Sequence, residues 1–213
     1  MASLVISEDV SVWPVTVDEA KTWLRETGTE QDTVIDMLIR AATTSVEDFI
    51  HQALITKSYT LRLDTFPPGY AYGLYGGGWR PETFGVAGYA ILLPMGKVTG
   101  GSVSISYIAS DGSTVAMVEN TDFVVDANQV PCRVYPAYSR VWPSTRPQPL
   151  AVQVSYDAGY GAANDVPSAL KTAILMLVAH WYENREAVNV GGTVNELPLQ
   201  FKNILMPYKL FML

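Results

Sequence analysis

Cysteine is all but missing. Cys132 stands alone among 213 residues, which excludes an intrachain disulfide and any multi-cysteine zinc or iron–sulfur site, and fits a reducing compartment. The single thiol reads as a packing residue, not a nucleophile. Histidine is nearly as scarce. His51 and His180 are the only two, too few for His-Glu-x-x-His or for a doubled Glu-x-x-His bundle site. No Gly-x-Ser-x-Gly elbow offers a strained serine. Charge is sparse at 16% of residues, the fourteen Lys and Arg are scattered, and the net charge is -7, so no basic groove for nucleic acid is expected. Long apolar runs are missing too: the longest inside a candidate helix, Ala173 to Ala179, is far short of the roughly 20 residues that span a bilayer. The start, MASLVISEDVSVWP, lacks the basic head and apolar core of a signal peptide, so neither secretion nor a membrane anchor is expected.

What is present describes a folded chain. Hydrophobic residues make up 48%, and a surface so poor in charge suits coverage by partners. Thr16-Val-Asp-Glu19 has the form of a capping box and predicts a helix through Glu26, ended by Gly28. A longer helix is predicted from Gln31 to Ala53. Asp36, Arg40, Thr43, Glu47 and His51 form its wet face and Val34, Leu38, Ala41, Ala42, Val46, Phe49 and Ile50 its buried one.

At Lys57 the period changes to two. Tyr59, Leu61 and Leu63 alternate with Thr60, Arg62 and Asp64; Val103, Ile105 and Tyr107 alternate with serines ahead of an Asp111-Gly112 turn; and Val152, Val154 and Tyr156 share a face. Helix returns at Asp165-Val-Pro-Ser168 and runs to about Ala187, with Gly191-Gly192 breaking it and a last helical or extended segment over Leu197 to Leu210, interrupted near Pro207. The expected fold is α+β: a helical bundle of N- and C-terminal helices, residues 1–55 and 161–213, with a mostly antiparallel β domain, residues 56–160, inserted between them.

Three stretches hold residues of interest. Pro67 to Tyr89 is dense in glycine and aromatics and predicts a projecting loop, with Tyr70, Tyr72, Tyr75 and Trp79 either contact residues or part of an unstructured insertion. Gly76-Gly77-Gly78 lacks the Lys-Ser/Thr of a phosphate loop. In the proline-stiffened connector 142–149, Trp142 and Arg146 read equally as surface packing or interface. Leu177 to Gly192 collects His180, Trp181, Tyr182, Glu183, Arg185 and Glu186 at the end of an apolar run. His180 and Glu183 share a helix face, as acid–base work would need, but amphipathic side chains at a helix end leaving the core account for the same pattern.

In order along the chain, VTVDEAKTWLR (Val15 to Arg25), IHQALITKSYTLRLDTFP (Ile50 to Pro67), ILLPMGKV (Ile91 to Val98), VQVSYDAGYG (Val152 to Gly161), VPSALKTAILMLVAHWYENREAV (Val166 to Val188) and LPLQFKNILMPYK (Leu197 to Lys209) cover nearly its whole length. This series resembles the head-to-tail connector (adaptor, or head-completion) proteins of tailed phages, prophages and gene transfer agents. The segments after Tyr160 are the most specific, and the Gly/Tyr loop is the main departure.

The resemblance implies a structural virion protein, made in the bacterial cytoplasm and built into the neck of the particle. It implies a ring of about twelve copies beneath the portal protein, which extends the DNA channel and offers a tail or stopper protein its docking surface. It further implies no enzymatic activity, no cofactor, no metal and no membrane, with DNA passing without sequence-specific binding. Under it, Phe201, Ile204, Leu205, Met206, Tyr208, Lys209, Leu210 and Phe211 are expected to meet the portal, and the His180 to Glu186 group to lie between subunits. Asp36, Glu47 and His51 are expected to face the lumen, a subunit contact or plain solvent. Two other classes stay open on the residues alone. One is a carbohydrate- or receptor-binding β module, stacking sugars on Tyr70, Tyr72, Tyr75 and Trp79; the other is a hydrolase using His180 with Glu183 or Asp157.

Overall fold

The structure, a computed structural model, describes residues 2–8, 12–67, 90–184 and 199–210. The fold is α+β and divides into two compact units. One comprises Met1–Asp9 and Lys57–Ala158, the other Val10–Thr56 and Gly159–Leu213.

The second unit is helical. Its first helix, α1 (Val17–Leu24), carries the predicted capping box: the Glu19 N–H donates to Thr16 Oγ1 at 3.2 Å and the Thr16 N–H to Glu19 Oε2 at 2.8 Å. It stops before Gly28, because Arg25 turns left-handed (φ 59) and closes the last turn itself. Helix α2 (Asp32–Ile50) starts where Lys21 meets Asp32 at 2.8 Å and ends before Ala53, at left-handed His51 (φ 57). Helix α3 (Ser168–Glu183) opens behind Pro167, and α4 (Leu199–Leu205) runs into a 3-10 turn over Met206–Tyr208. Ile35, Ile39, Val46 and Ile50 of α2 form one core with Leu170, Ile174, Leu177 and Val178 of α3 and with Phe201 and Leu205 of α4.

The predicted wet face of α2 needs correction. Thr43 and Glu47 are buried. They fall inside the stripe Ile35, Ile39, Ala42, Val46 and Ile50, and each has an internal partner: Thr43 Oγ1 donates to the Ile39 carbonyl at 2.8 Å, and Glu47 Oε1 accepts the Leu54 N–H at 2.8 Å. Asp36 and Arg40 do lie outside, paired at 2.9 Å, whereas Ala41, expected inside, is exposed.

The first unit is β. A strand not foreseen from the sequence, β1 (Ala2–Glu8), opens it, followed by β2 (Lys57–Leu63), β3 (Ile91–Leu93), β4 (Ser104–Ile108), β5 (Thr114–Met117), β6 (Phe123–Asp126), β7 (Cys132–Pro136) and β8 (Val152–Ala158). They form a five-stranded sheet, β1-β2-β8-β4-β5, and a three-stranded one, β3-β7-β6, antiparallel throughout. The β4–β5 turn uses Asp111-Gly112 as predicted: Gly112 takes φ 92, and Asp111 Oδ1 accepts the Ser113 N–H at 2.9 Å.

Register sorts the large sheet into two faces. Leu4, Leu61, Val154, Ile105 and Met117 stand in one row of the apolar face, and Ser3, Arg62, Gln153, Ser106 and Ala116 in one row of the polar face. On the polar side Ser7, Thr60 and Ser155 link hydroxyl to hydroxyl at 2.5 Å and 3.2 Å. On the apolar side Tyr59 and Tyr156 stack with centroids 5.8 Å apart, and the Tyr156 hydroxyl donates to the Pro94 carbonyl at 3.1 Å, just beyond β3. The small sheet thus covers the middle of the large one around β8, its central strand, with Leu93, Cys132 and Val134 buried in the seam.

Candidate docking surfaces

At the end of α3 the polar cluster is a helix terminus that emerges from the core. His180, Trp181 and Tyr182 are half-buried, Trp181 and Tyr182 pack against the helical core, and Glu183 is exposed. Asn184 closes the helix, donating from its backbone N–H and from Nδ2 to the His180 carbonyl at 3.0 Å and 2.9 Å. Arg185 and Glu186 lie outside the described residues, as do Tyr70, Tyr72, Tyr75 and Trp79.

The chemistry available to these groups is limited. Among the described residues no set of three His, Cys, Asp or Glu side chains comes close enough to hold a metal ion. Asp157, one conceivable acid–base partner, is tied into the sheet: it accepts from Ser58 Oγ at 2.6 Å. Burial pushes the Cys132 thiol up to about 11, with the Asp126 carboxylate acting in the same direction, so the thiolate that would attack anything is scarce. Burial likewise raises the Tyr156 hydroxyl, which is occupied as a donor.

The C-terminal segment divides by residue. Phe201, Leu205 and Leu210 are buried in their own subunit, and the Leu210 N–H donates to the Ile50 carbonyl at 2.8 Å. Gln52 Nε2 donates to the Tyr208 carbonyl, Lys209 Nζ sits 4.6 Å from the centroid of Phe49, and the Phe49 and Phe201 rings lie 6.3 Å apart. Ile204 and Tyr208 pack at the margin of the core. Met206, 48% exposed, is the large apolar side chain that this segment turns outward among its described residues. Phe211 is outside them.

Further surfaces come into view only in the fold. Trp142 proves to be packing: it stacks flat on Phe66 at 4.8 Å, and Phe66 in turn meets Tyr107 edge-on. Beyond β7, Tyr138 and Val141 project, 98% and 72% exposed. Both outer strands of the large sheet show apolar side chains, Leu4, Val5 and Ile6 on β1 and Val115 on β5. The signal for β1 was present in the sequence as Ser3-Leu4-Val5-Ile6-Ser7, short and rich in strand-forming residues.

The chain matches the family described as "Phage gp6-like head-tail connector protein" over residues 14–72 and 149–209. No curated protein matches it. Among solved structures, it is similar to a chain from the neck of an empty GTA particle computed with C6 symmetry, at TM-score 0.70 and 18% identity, covering 100% of this chain and 97% of that one. A chain of the native gene transfer agent (GTA) virion aligns at TM-score 0.72 and 18% identity, with 99% and 96% covered. A chain from the native GTA neck computed with C12 symmetry aligns at TM-score 0.65 and 17% identity, with 98% and 97% covered.

Proposed function

The chain belongs to the phage gp6-like head-tail connector family, and we propose on that premise that it is a structural protein of the neck, forming a ring of about twelve copies under the portal, through which DNA passes and on which the tail or stopper protein docks. The family match carries this reading. It falls on residues 14–72 and 149–209, and so takes in the four described helices together with β2 and β8. The likeness of fold over whole chains to neck subunits of gene transfer agents supports it. So does a net charge of -7 with few charged residues, since a channel wall that repels phosphate does not retain DNA.

In this role the subunit needs no catalytic group and no cofactor. The end of α3 from His180 to Glu183, together with Arg185 and Glu186 further along the sequence, serves as a contact between neighbours: half-buried aromatics with polar tips anchor an interface without exposing a large apolar patch to water. The C-terminal segment meets the portal. Phe201, Leu205 and Leu210 hold it on the subunit, while Met206 and the outer sides of Ile204, Tyr208 and Lys209 make the contact. The helical unit, residues 10–56 with 159–213, serves as the connector core, and residues 57–158, joined by the strand from residues 1–9, as its inserted β domain.

Electron microscopy of this protein mixed with the portal protein of the same genome, beside light scattering of the free protein, tests the proposal. A ring seated on the portal is the expected outcome. A well-folded protein that neither binds the portal nor forms a ring would overturn it.

A further inference from the structure

Among the described residues, the two outer strands of the large sheet, β1 and β5, leave large apolar side chains exposed. The small sheet is two strands narrower, three against five, and lies over the central strand β8 through the Tyr156 to Pro94 contact. With strands about 4.8 Å apart, the outer strands must overhang it. Burial follows that geometry row by row: Leu61, Val154 and Ile105 are 6%, 0% and 2% exposed, but Leu4, at the β1 end of their row, is 38% exposed. In the next row Val152 is fully buried and Val115, at the β5 end, is 36% exposed.

Neither edge carries the charges or prolines by which sheets prevent edge pairing. β1 reads ASLVISE, with one acid at its end, and β5 reads TVAM. Their directions are also fixed. Every neighbouring pair is antiparallel and there are five strands, so β1 and β5 run the same way.

We propose that β5 of one subunit adds to β1 of the next copy in a parallel ladder, so that the large sheets continue from subunit to subunit around the ring. This rests on the reading of the chain as a ring-forming connector. A ring joins each subunit to the next through two different patches, and opposite edges of one sheet supply such a pair, whereas a two-fold dimer would use the same edge twice. A twelve-fold ring turns each copy by only about 30°, so a strand changes direction by no more than that from one copy to the next and the new pair is parallel. The added strand would satisfy the outer backbone groups of both edges and bring Leu4 and Ile6 against Val115 and Met117.

Cysteines placed in the Ser3 to Ala116 row test the junction, since adjacent strands lie at disulfide distance. Ser3→Cys/Ala116→Cys, and Val5→Cys/Ala116→Cys for a register shifted by two, are assembled as full-length protein on the portal and oxidised; buried Cys132 stays out of the reaction. At least one double variant is expected to give a covalent ladder of multimers on non-reducing gels, and each single variant monomer. Leu4→Lys and Val115→Lys are expected to lower ring occupancy about tenfold while the circular dichroism of the free subunit stays unchanged. Rings that form normally in both lysine variants and leave both double variants uncross-linked would overturn the junction and leave the ring reading standing. Dimers from Ser3→Cys alone would overturn it in favour of a two-fold pair, and wild-type protein that forms no ring would remove both.

Discussion

Glu47 sits in the apolar stripe of α2 with its carboxylate turned to the Leu54 N–H, just past the left-handed turn at His51. The bond is charge-assisted and buried, so its loss strands a backbone donor in the core. Glu47→Ala is expected to cost about 1–3 kcal/mol in urea unfolding, and Glu47→Gln less, because an amide oxygen still accepts. A loss from Gln as large as that from Ala would show that the charge matters more than the hydrogen bond. Cys132 gives a pH signature. Its thiol is raised from 9.0 to about 11 by burial, so folding favours the protonated form. Its contribution to stability is full below about pH 9 and is lost as pH rises towards 11, the range in which the unfolded chain ionises first. The stability advantage of wild type over Cys132→Ala is expected to shrink across that window, and Cys132 to react with thiol reagents only as fast as the unit opens. Rapid labelling at neutral pH in the folded protein would contradict the burial.

At the scale of elements, α4 and the turn after it fasten the chain end to α2. Leu205 is fully buried, and Leu205→Ala is expected to cost about 2–5 kcal/mol. Met206, one residue on, faces out, so Met206→Asp is expected to leave the unfolding midpoint within about 0.5 kcal/mol of wild type and to weaken portal binding. Unchanged binding in a pull-down would remove Met206 from the docking surface. Deleting Met206 to Leu213 is a poorer test than the point change. It also takes away the Leu210 to Ile50 backbone bond and the Gln52 to Tyr208 bond, and so confuses binding with folding. The capping box of α1 is separable from both: Thr16→Ala is expected to lower stability by about 1 kcal/mol with assembly intact.

At the scale of the whole molecule, local periodicity carried a good part of the fold. The capping box, the shift from period 3.6 to period 2 near Lys57, the Asp111-Gly112 turn and the proline ahead of α3 depend on neighbours in sequence, and each appears where the residues predict it. The resemblance to connectors was legible for the same reason, since its motifs are contiguous. Position relative to distant residues was not legible. Thr43 and Glu47 are polar letters in a stripe that α3 and α4 close over; their partners, the Ile39 carbonyl and the Leu54 N–H, are near in sequence, but it is the packed helices that bury them. Trp142 became a packing residue because Phe66, far away in sequence, stands under it. β1 is a strand because β2 pairs with it, and the exposure of Leu4 and Val115 depends on how wide the covering sheet is. Sequence by itself therefore determined where helices and most strands form and which family the chain resembles, through backbone preferences and amphipathic spacing. Tertiary structure decided which polar residues go inside and which edges stay open, because burial is a property of what lies opposite in space and not of what lies next along the chain.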